Sequence, residues 1–320
     1  MAKVIIGIHG LKNKVSKDLL EDWWRKSIIE GLSDNLNIKD CTPKFEMVYW
    51  ADILNDKPLD PNVSDKNSPL YNNEPYLPKD ISFIPEKNPI RKRLMNYFGE
   101  KIDSVLLNDD LTNNYQLITN KVMHTYFEDM AVYYSDAKIR NDIRQRLADT
   151  IKKHKKDDIM ILSHSMGTMI AYEVLTHLVP EVKINTFVTM GSPLAFPLIK
   201  ARIGRELNIT EKKNLVLRTP ENVTNAWYNF SDITDKVAFN YVLSNDYIEN
   251  KKNVSVTDFE VFNDYKASKR NPHKSYGYLR THEVSRVIWQ FAQKRRNPLF
   301  DSIIATYRKT LQRLKDFIKK

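Results

Sequence analysis

Two rhythms of apolar and polar positions run along this chain, and the switches between them mark its elements. Lys3-Val4-Ile5-Ile6-Gly7-Ile8 is an almost unbroken apolar run. A segment apolar on both faces suits a strand of a parallel sheet better than a half-exposed antiparallel one. It ends in His9-Gly10-Leu11. From Ser16 the spacing turns helical: Leu20, Trp23, Trp24 and Ile28 share one face to about Ile29, and Gly31 supplies a stop. A second strand is predicted over Phe45–Trp50. Strand, helix, strand is the building unit of a parallel sheet.

The pattern then dissolves. From Asp52 to Ser135 the chain is polar and irregular, and seven of its 14 prolines fall between Pro58 and Pro89. So long a connection is an insertion and not a turn. Within it Ile90–Phe98 has the spacing of a basic amphipathic helix, and Asp110–Tyr134 is aromatic-rich with helical character. Placed here, the 52–135 insertion is either a cap over a site or a surface excursion.

Regular spacing returns with a helix from Ala137 to about His154, on which Ile143, Leu147 and Ile151 recur every fourth residue. Asp158-Ile159-Met160-Ile161-Leu162 is a buried strand that ends abruptly in Ser163-His164-Ser165-Met166-Gly167. A helix opens at once, with Met166, Met169, Ile170, Val174 and Leu178 at three- and four-residue spacing, and stops before Pro180. Lys183–Met190 is a further strand, finishing in Gly191-Ser192-Pro193. A short helix is predicted over Phe196–Ile203 and a short apolar stretch at Leu215–Leu217. Trp227–Phe230 is a strand running into Ser231-Asp232-Ile233-Thr234-Asp235-Lys236-Val237. Val254–Phe262 is another. A polar loop carries His273. Gly277 opens a helix with Val284, Ile288 and Phe291 on one face, and Ile304–Ile318 reads as a basic amphipathic tail helix. Such a helix packs on its own domain or lies on a membrane surface. There is no internal repeat.

Composition narrows the class. With 42% hydrophobic and 28% charged residues in 320, the chain can bury a sizeable core and is not of disordered composition. No apolar run approaches the roughly 20 residues of a membrane span, and the N-terminal run lacks the features of a signal peptide. One cysteine, Cys41, allows neither an internal disulfide nor a cysteine metal site. A cytoplasmic location is the expectation. The net charge of +10 and pI near 9.3 favour an anionic partner, whether a phospholipid surface, nucleic acid or an acidic substrate, or else reflect a lysine-heavy surface. No nucleic-acid motif accompanies the charge, so no nucleic-acid partner is expected. No metal or nucleotide motif is present either, and no cofactor is expected. Oligomeric state is not legible. Only eight glycines occur, and Gly7, Gly10, Gly167, Gly191 and Gly277 all fall near stretches assigned to one end of the sheet.

That end carries the candidate chemistry. A serine on a sharp strand-to-helix turn is a nucleophile elbow, whose tightness demands small residues two before and two after. Here they are Ser163 and Gly167. A hydroxyl needs a base to take its proton, and the base needs a carboxylate to orient it. In a parallel sheet such groups gather at the carboxyl ends of the strands. The serine is Ser165. The carboxylate is Asp235 or Asp232, both in one post-strand loop. The base is His273, in the loop after the last strand. His124, His154 and His177 fall in helices or the insertion, His282 lies within the last helix, and His164 points away from where Ser165 must point. Backbone N–H groups of Leu11 and Met166 are the candidate oxyanion donors, with Gly10 allowing close approach.

His-Gly-Leu after the first strand, Ser-His-Ser-Met-Gly at the elbow, Gly-Ser-Pro after the next strand, an Asp-x-Val loop and a late loop histidine together resemble an α/β-hydrolase of the lipase/serine-esterase branch. The resemblance covers most of the chain outside the insertion. It implies an α/β fold with a mostly parallel sheet of six or so strands flanked by helices, lacking the first two strands of the full fold. It also favours Asp235, because that segment resembles the Asp-x-Val-Pro turn of lipases. The expected activity is serine hydrolysis of carboxylic or lipid esters through a Ser165–His273–Asp235 triad and an acyl-enzyme. A rival expectation is a non-catalytic protein of the same fold that binds a partner or an anionic membrane surface.

Overall fold

The computed structural model describes residues 2–41, 43–79, 128–209, 215–238 and 242–293. Its centre is a sheet of six strands, all parallel among the described residues, in the order β2-β1-β3-β4-β6-β8. The strands are β1 (Lys3–Ile8), β2 (Lys44–Val48), β3 (Asp158–His164), β4 (Ile184–Met190), β6 (Val223–Ser231) and β8 (Val256–Glu260). Two short strands, β5 (Leu217–Arg218) and β7 (Tyr247–Ile248), pair apart from the main sheet. The helices are α1 (Lys17–Leu36), α2 (Glu128–Ser135), α3 (Ala137–Lys153), α4 (Met166–His177), α5 (Pro197–Glu206), α6 (Ser275–Leu279) and α7 (His282–Ala292).

The unbroken apolar runs feed two cores. Alternate residues of a strand point to opposite faces. Ile6, Ile8, Ile159, Ile161, Phe187 and Trp227 therefore join α3, α4 and α5 on one side. Ile5, Met160, Leu162, Val188, Met190 and Phe230 join α1, α6 and α7 on the other. This double burial is why those runs show no polar alternation.

The chain steps from β1 outward to β2, then returns to the other side of β1 for β3. The order reverses between β1 and β3, and such a switch point opens a crevice at the carboxyl ends of the strands. The loop after β1 and the turn after β3 meet there, in the register Ile8↔Ser163.

Several boundaries differ from expectation, each for a tertiary reason. The first helix runs past Gly31 to Leu36 and ends on Asn37 in the left-handed conformation. Gly31 is a crossing point: a Cβ there would come within 2.8 Å of Arg280 Cα and 2.5 Å of Ser285 Oγ. The second strand stops at Val48, because the Trp50 N–H donates to His9 Nε2 at 3.0 Å and leaves the ladder. The helix expected from Gly277 is two helices, broken at Arg280, with Thr281 capping the second through the Val284 N–H. Gly7 serves packing, its missing side chain replaced by the rings of Phe45 and Trp24. Of the aromatic-rich stretch ending at Tyr134, α2 is helical. The expected helices at 90–98 and 304–318, and His124, lie outside the described residues.

Candidate active site

The turn after β3 holds Ser165 at φ +54°, ψ −130°. A serine in this sparsely populated region is strained, and such strain collects where a side chain must be aimed. The turn is over-determined. The Ser165 N–H donates to the Met190 carbonyl at 3.0 Å, and the Thr168 N–H and hydroxyl both donate to the Ser165 carbonyl. Gly167 cannot carry a side chain, since a Cβ would come within 2.7 Å of the Ile8 and His9 carbonyl oxygens. Ser163, where the pattern has its first glycine, fits because its hydroxyl donates to the Val188 carbonyl at 2.6 Å and no polar atom is stranded.

Ser165 Oγ lies 2.9 Å from His273 Nε2, across 108 residues of sequence. His273 Nδ1 lies 2.8 Å from Asp235 Oδ2. A carboxylate only accepts, so Nδ1 carries the proton and Nε2 is left to accept from the serine hydroxyl. Asp235 is fully buried and its other oxygen accepts the Val237 N–H at 2.9 Å. Gly191, at φ +55°, closes against this pair: a Cβ would come within 2.9 Å of Asp235 Oδ2 and 3.1 Å of His273 Nδ1.

Asp232 is engaged elsewhere. One of its oxygens accepts from the Thr234 N–H and hydroxyl, and the other accepts the Asn263 N–H and pairs with Arg270. It holds the loop together and does not meet His273.

Three neighbours have contacts that the sequence reading did not assign. Tyr278 donates its hydroxyl to Asp235 Oδ2 at 2.8 Å and accepts the Asp232 N–H at 2.9 Å, locking the two aspartates at fixed spacing. His164, adjacent to the serine, turns its ring to the histidine loop. Its Nε2–H donates to the His273 carbonyl at 2.6 Å, with the two rings 4.8 Å apart. Ser192 bonds Thr168 Oγ1 at 2.8 Å and so ties the loop after β4 to the elbow helix. The position of His164 beside the elbow was a usable signal, whereas Tyr278 sits in a helix with no local pattern to distinguish it.

The loop after β1 touches Ser165. A Cβ on Gly10 would fall 2.5 Å from Ser165 Cβ, so only glycine permits this approach. His9 fixes the loop: its ring stacks on Trp50, its Nδ1–H donates to the Gly10 carbonyl at 2.8 Å, and its carbonyl accepts Trp50 Nε1–H at 3.0 Å. Leu11 follows, half-buried, and Met166 opens α4, whose first N–H groups have no intrahelical acceptor.

The other histidines among the described residues lie apart from Ser165. His154 is buried between Glu46 and Asp157, His177 sits beside Glu206, and His282 is exposed at the start of α7. Among the described residues no cluster of His, Cys, Asp and Glu could hold a metal ion.

Burial, with the Lys14 charge added, holds His9 well below the usual imidazole range, and burial with His273 nearby does the same to His164. A depressed folded-state pKa means the unfolded chain binds more protons below about pH 6.5. Stability is therefore present above that pH and falls beneath it, by up to about 1.4 kcal/mol per pH unit for each residue. Denaturant midpoints at about pH 7.5 and about pH 5.5 check this, with the lower value expected at the acid end. An equal or higher midpoint at the acid pH would show that both rings charge inside the fold.

Residues 108–262 match the family model described as PGAP1-like alpha/beta domain, just under half of the chain. That family is a lipase/esterase-like α/β-hydrolase one, and the parallel sheet flanked by helices is the fold it expects. The matched stretch contains Ser165, Asp232 and Asp235, while Leu11 and His273 lie outside it. A hydrolase-type function goes with this domain. No curated protein matches the chain. No helix of the described residues is long and apolar enough to cross a membrane.

Proposed function

We propose that this α/β-hydrolase is a serine esterase acting on carboxylic esters with an apolar acyl group. The observation that carries the reading is the continuous relay from Ser165 Oγ through His273 to the buried Asp235, at 2.9 and 2.8 Å. His273 Nε2 takes the hydroxyl proton as Ser165 Oγ bonds to the ester carbonyl carbon. The carbonyl oxygen becomes an oxyanion facing the Leu11 and Met166 N–H groups. The C–O bond to the alcohol breaks as His273 returns the proton to the leaving oxygen. Water then repeats the sequence on the acyl-enzyme, releasing the acid and restoring Ser165. Asp235 keeps the His273 proton on Nδ1 and stabilises the imidazolium. Half-buried Leu11, Ile53, Leu54 and Phe196, from loops beyond β1, β2 and β4, supply apolar surface for an acyl chain at this end of the sheet. The setting that goes with this reading is the cytoplasm, where a free thiol such as Cys41 stays reduced.

One observation favours the rival reading, a partner- or membrane-binding protein without turnover: Ser165 has no exposed surface. A fluorophosphonate probe, read by intact mass on the wild-type protein, separates the two. The esterase reading expects a single adduct on Ser165 and hydrolysis of an ester panel that varies with acyl length. A folded protein that takes no adduct, in buffer and with anionic vesicles alike, would overturn it.

A further inference from the structure

The insertion leaves β2 and its first part, residues 57–79, touches both loops of the site in turn. It pairs first with the loop after β1. The Leu59 N–H donates to the Lys14 carbonyl at 2.8 Å, Asn13 Nδ2 donates to the Lys57 carbonyl at 2.8 Å, and Val15 and Leu59 form a parallel bridge. It then pairs with the loop that carries His273. Glu74 Oε1 accepts from Asn271 Nδ2 at 2.5 Å, Glu74 Oε2 pairs with Lys274 at 3.1 Å, and the Pro75 carbonyl accepts the Tyr265 hydroxyl at 2.7 Å. Past that point Arg280 donates to the Leu77 carbonyl, and Glu30 receives the Lys79 N–H and the Tyr76 hydroxyl.

The Glu74 contacts bracket His273 from both sides in sequence. Asn271, two residues before it, uses one end of its amide to reach Glu74 and the other to accept the His273 N–H at 3.0 Å. Lys274 is the next residue. On the far side, the His273 carbonyl is held by His164. Both backbone polar groups of His273 are thus fixed, one to the elbow and one, through Asn271, to the insertion. Burial opposes charge on Glu74, but Lys274 and the Asn271 bond hold its carboxyl below the ordinary range, so the pairing is ionic.

We propose that residues 57–79 are a strap that fixes the histidine loop against the loop after β1, and that Glu74 is the positioning residue through which it holds His273. The inference rests on the serine-esterase reading for its kinetic consequence. A base displaced by about 1 Å loses on the order of 100-fold in rate, and nothing in the strap itself touches the reacting atoms.

The test is Glu74→Ala beside Glu74→Gln, with kcat expressed per fluorophosphonate-labelled site and with the downfield proton of His273 Nδ1–H followed by NMR. Glu74→Ala is expected to lower kcat per site by about 10- to 100-fold with KM unchanged, and to broaden or move the His273 proton. Glu74→Gln, which keeps an acceptor for Asn271, recovers most of both. A folded Glu74→Ala protein with wild-type kcat per site and an unshifted proton overturns the strap. Should Glu74→Ala not fold, Asn271→Ala cuts the same relay at its other end and is held to the same outcomes. If the wild type takes no label and turns over no ester, the esterase reading fails by itself, and the strap is judged on the His273 proton alone.

Discussion

Replacing Ser165 by alanine is expected to lower ester turnover by a factor on the order of 10⁵ or more and to abolish fluorophosphonate labelling, while the fold survives. The turn does not depend on the hydroxyl. Its hold comes from backbone bonds between Ser165 and Met190 and between Ser165 and Thr168, and alanine keeps all of them. What is lost is the atom 2.9 Å from His273 Nε2. Residual rate above the uncatalysed reaction would come from the oxyanion donors and substrate binding. Initial rates on a short acyl ester, intact mass after probe treatment, and a thermal melt make the comparison. Turnover within about tenfold of wild type would mean that another group attacks.

The second large effect separates two aspartates three residues apart. Asp235→Asn is expected to cost about 10⁴-fold in kcat, because an amide can donate to His273 Nδ1 and so favour the wrong tautomer. The loop should stay folded, since the amide oxygen still accepts the Val237 N–H, and the Tyr278 hydroxyl, which shares Oδ2 with His273, can accept from the amide nitrogen instead of donating. Asp232→Asn is expected to do the opposite. Its carboxylate is buried and paired with Arg270, and removing one charge of such a pair costs about 3 kcal/mol. Rate per folded molecule should change little, while the denaturant midpoint falls. Rates measured on both variants, with melts alongside, decide it. An active Asp235→Asn enzyme beside a dead but folded Asp232→Asn enzyme would reverse the assignment.

The central strands β1 and β3 were legible because each is apolar on both faces, and the two cores show why. The strand–turn–helix at Ser165 was legible because it is a local event, spelled by Ser163, Ser165 and Gly167 within five residues. Where local spacing misled, a distant contact had taken over. Gly31 reads as a helix stop but is the point where α1 crosses the α6–α7 break. Trp50 reads as strand but gives its N–H to His9. The break at Arg280 and Thr281 interrupts an otherwise even helical pattern.

The sequence by itself determined a parallel α/β class and the position of the elbow, because apolar runs, three- and four-residue spacings and one local turn spell them, while the expectation of six or so strands came from the resemblance to the α/β-hydrolases. It narrowed the carboxylate to Asp232 or Asp235 but could not distinguish them by residue type, spacing or loop. Only the tertiary structure brought His273 to Ser165 and Asp235, turned Asp232 toward Arg270, set Tyr278 between the aspartates and laid Glu74 against the histidine loop. Those pairings span from 38 to 200 residues. They arise from the order in which the strands assemble and from where the loops beyond them meet, and no periodicity in the chain encodes either.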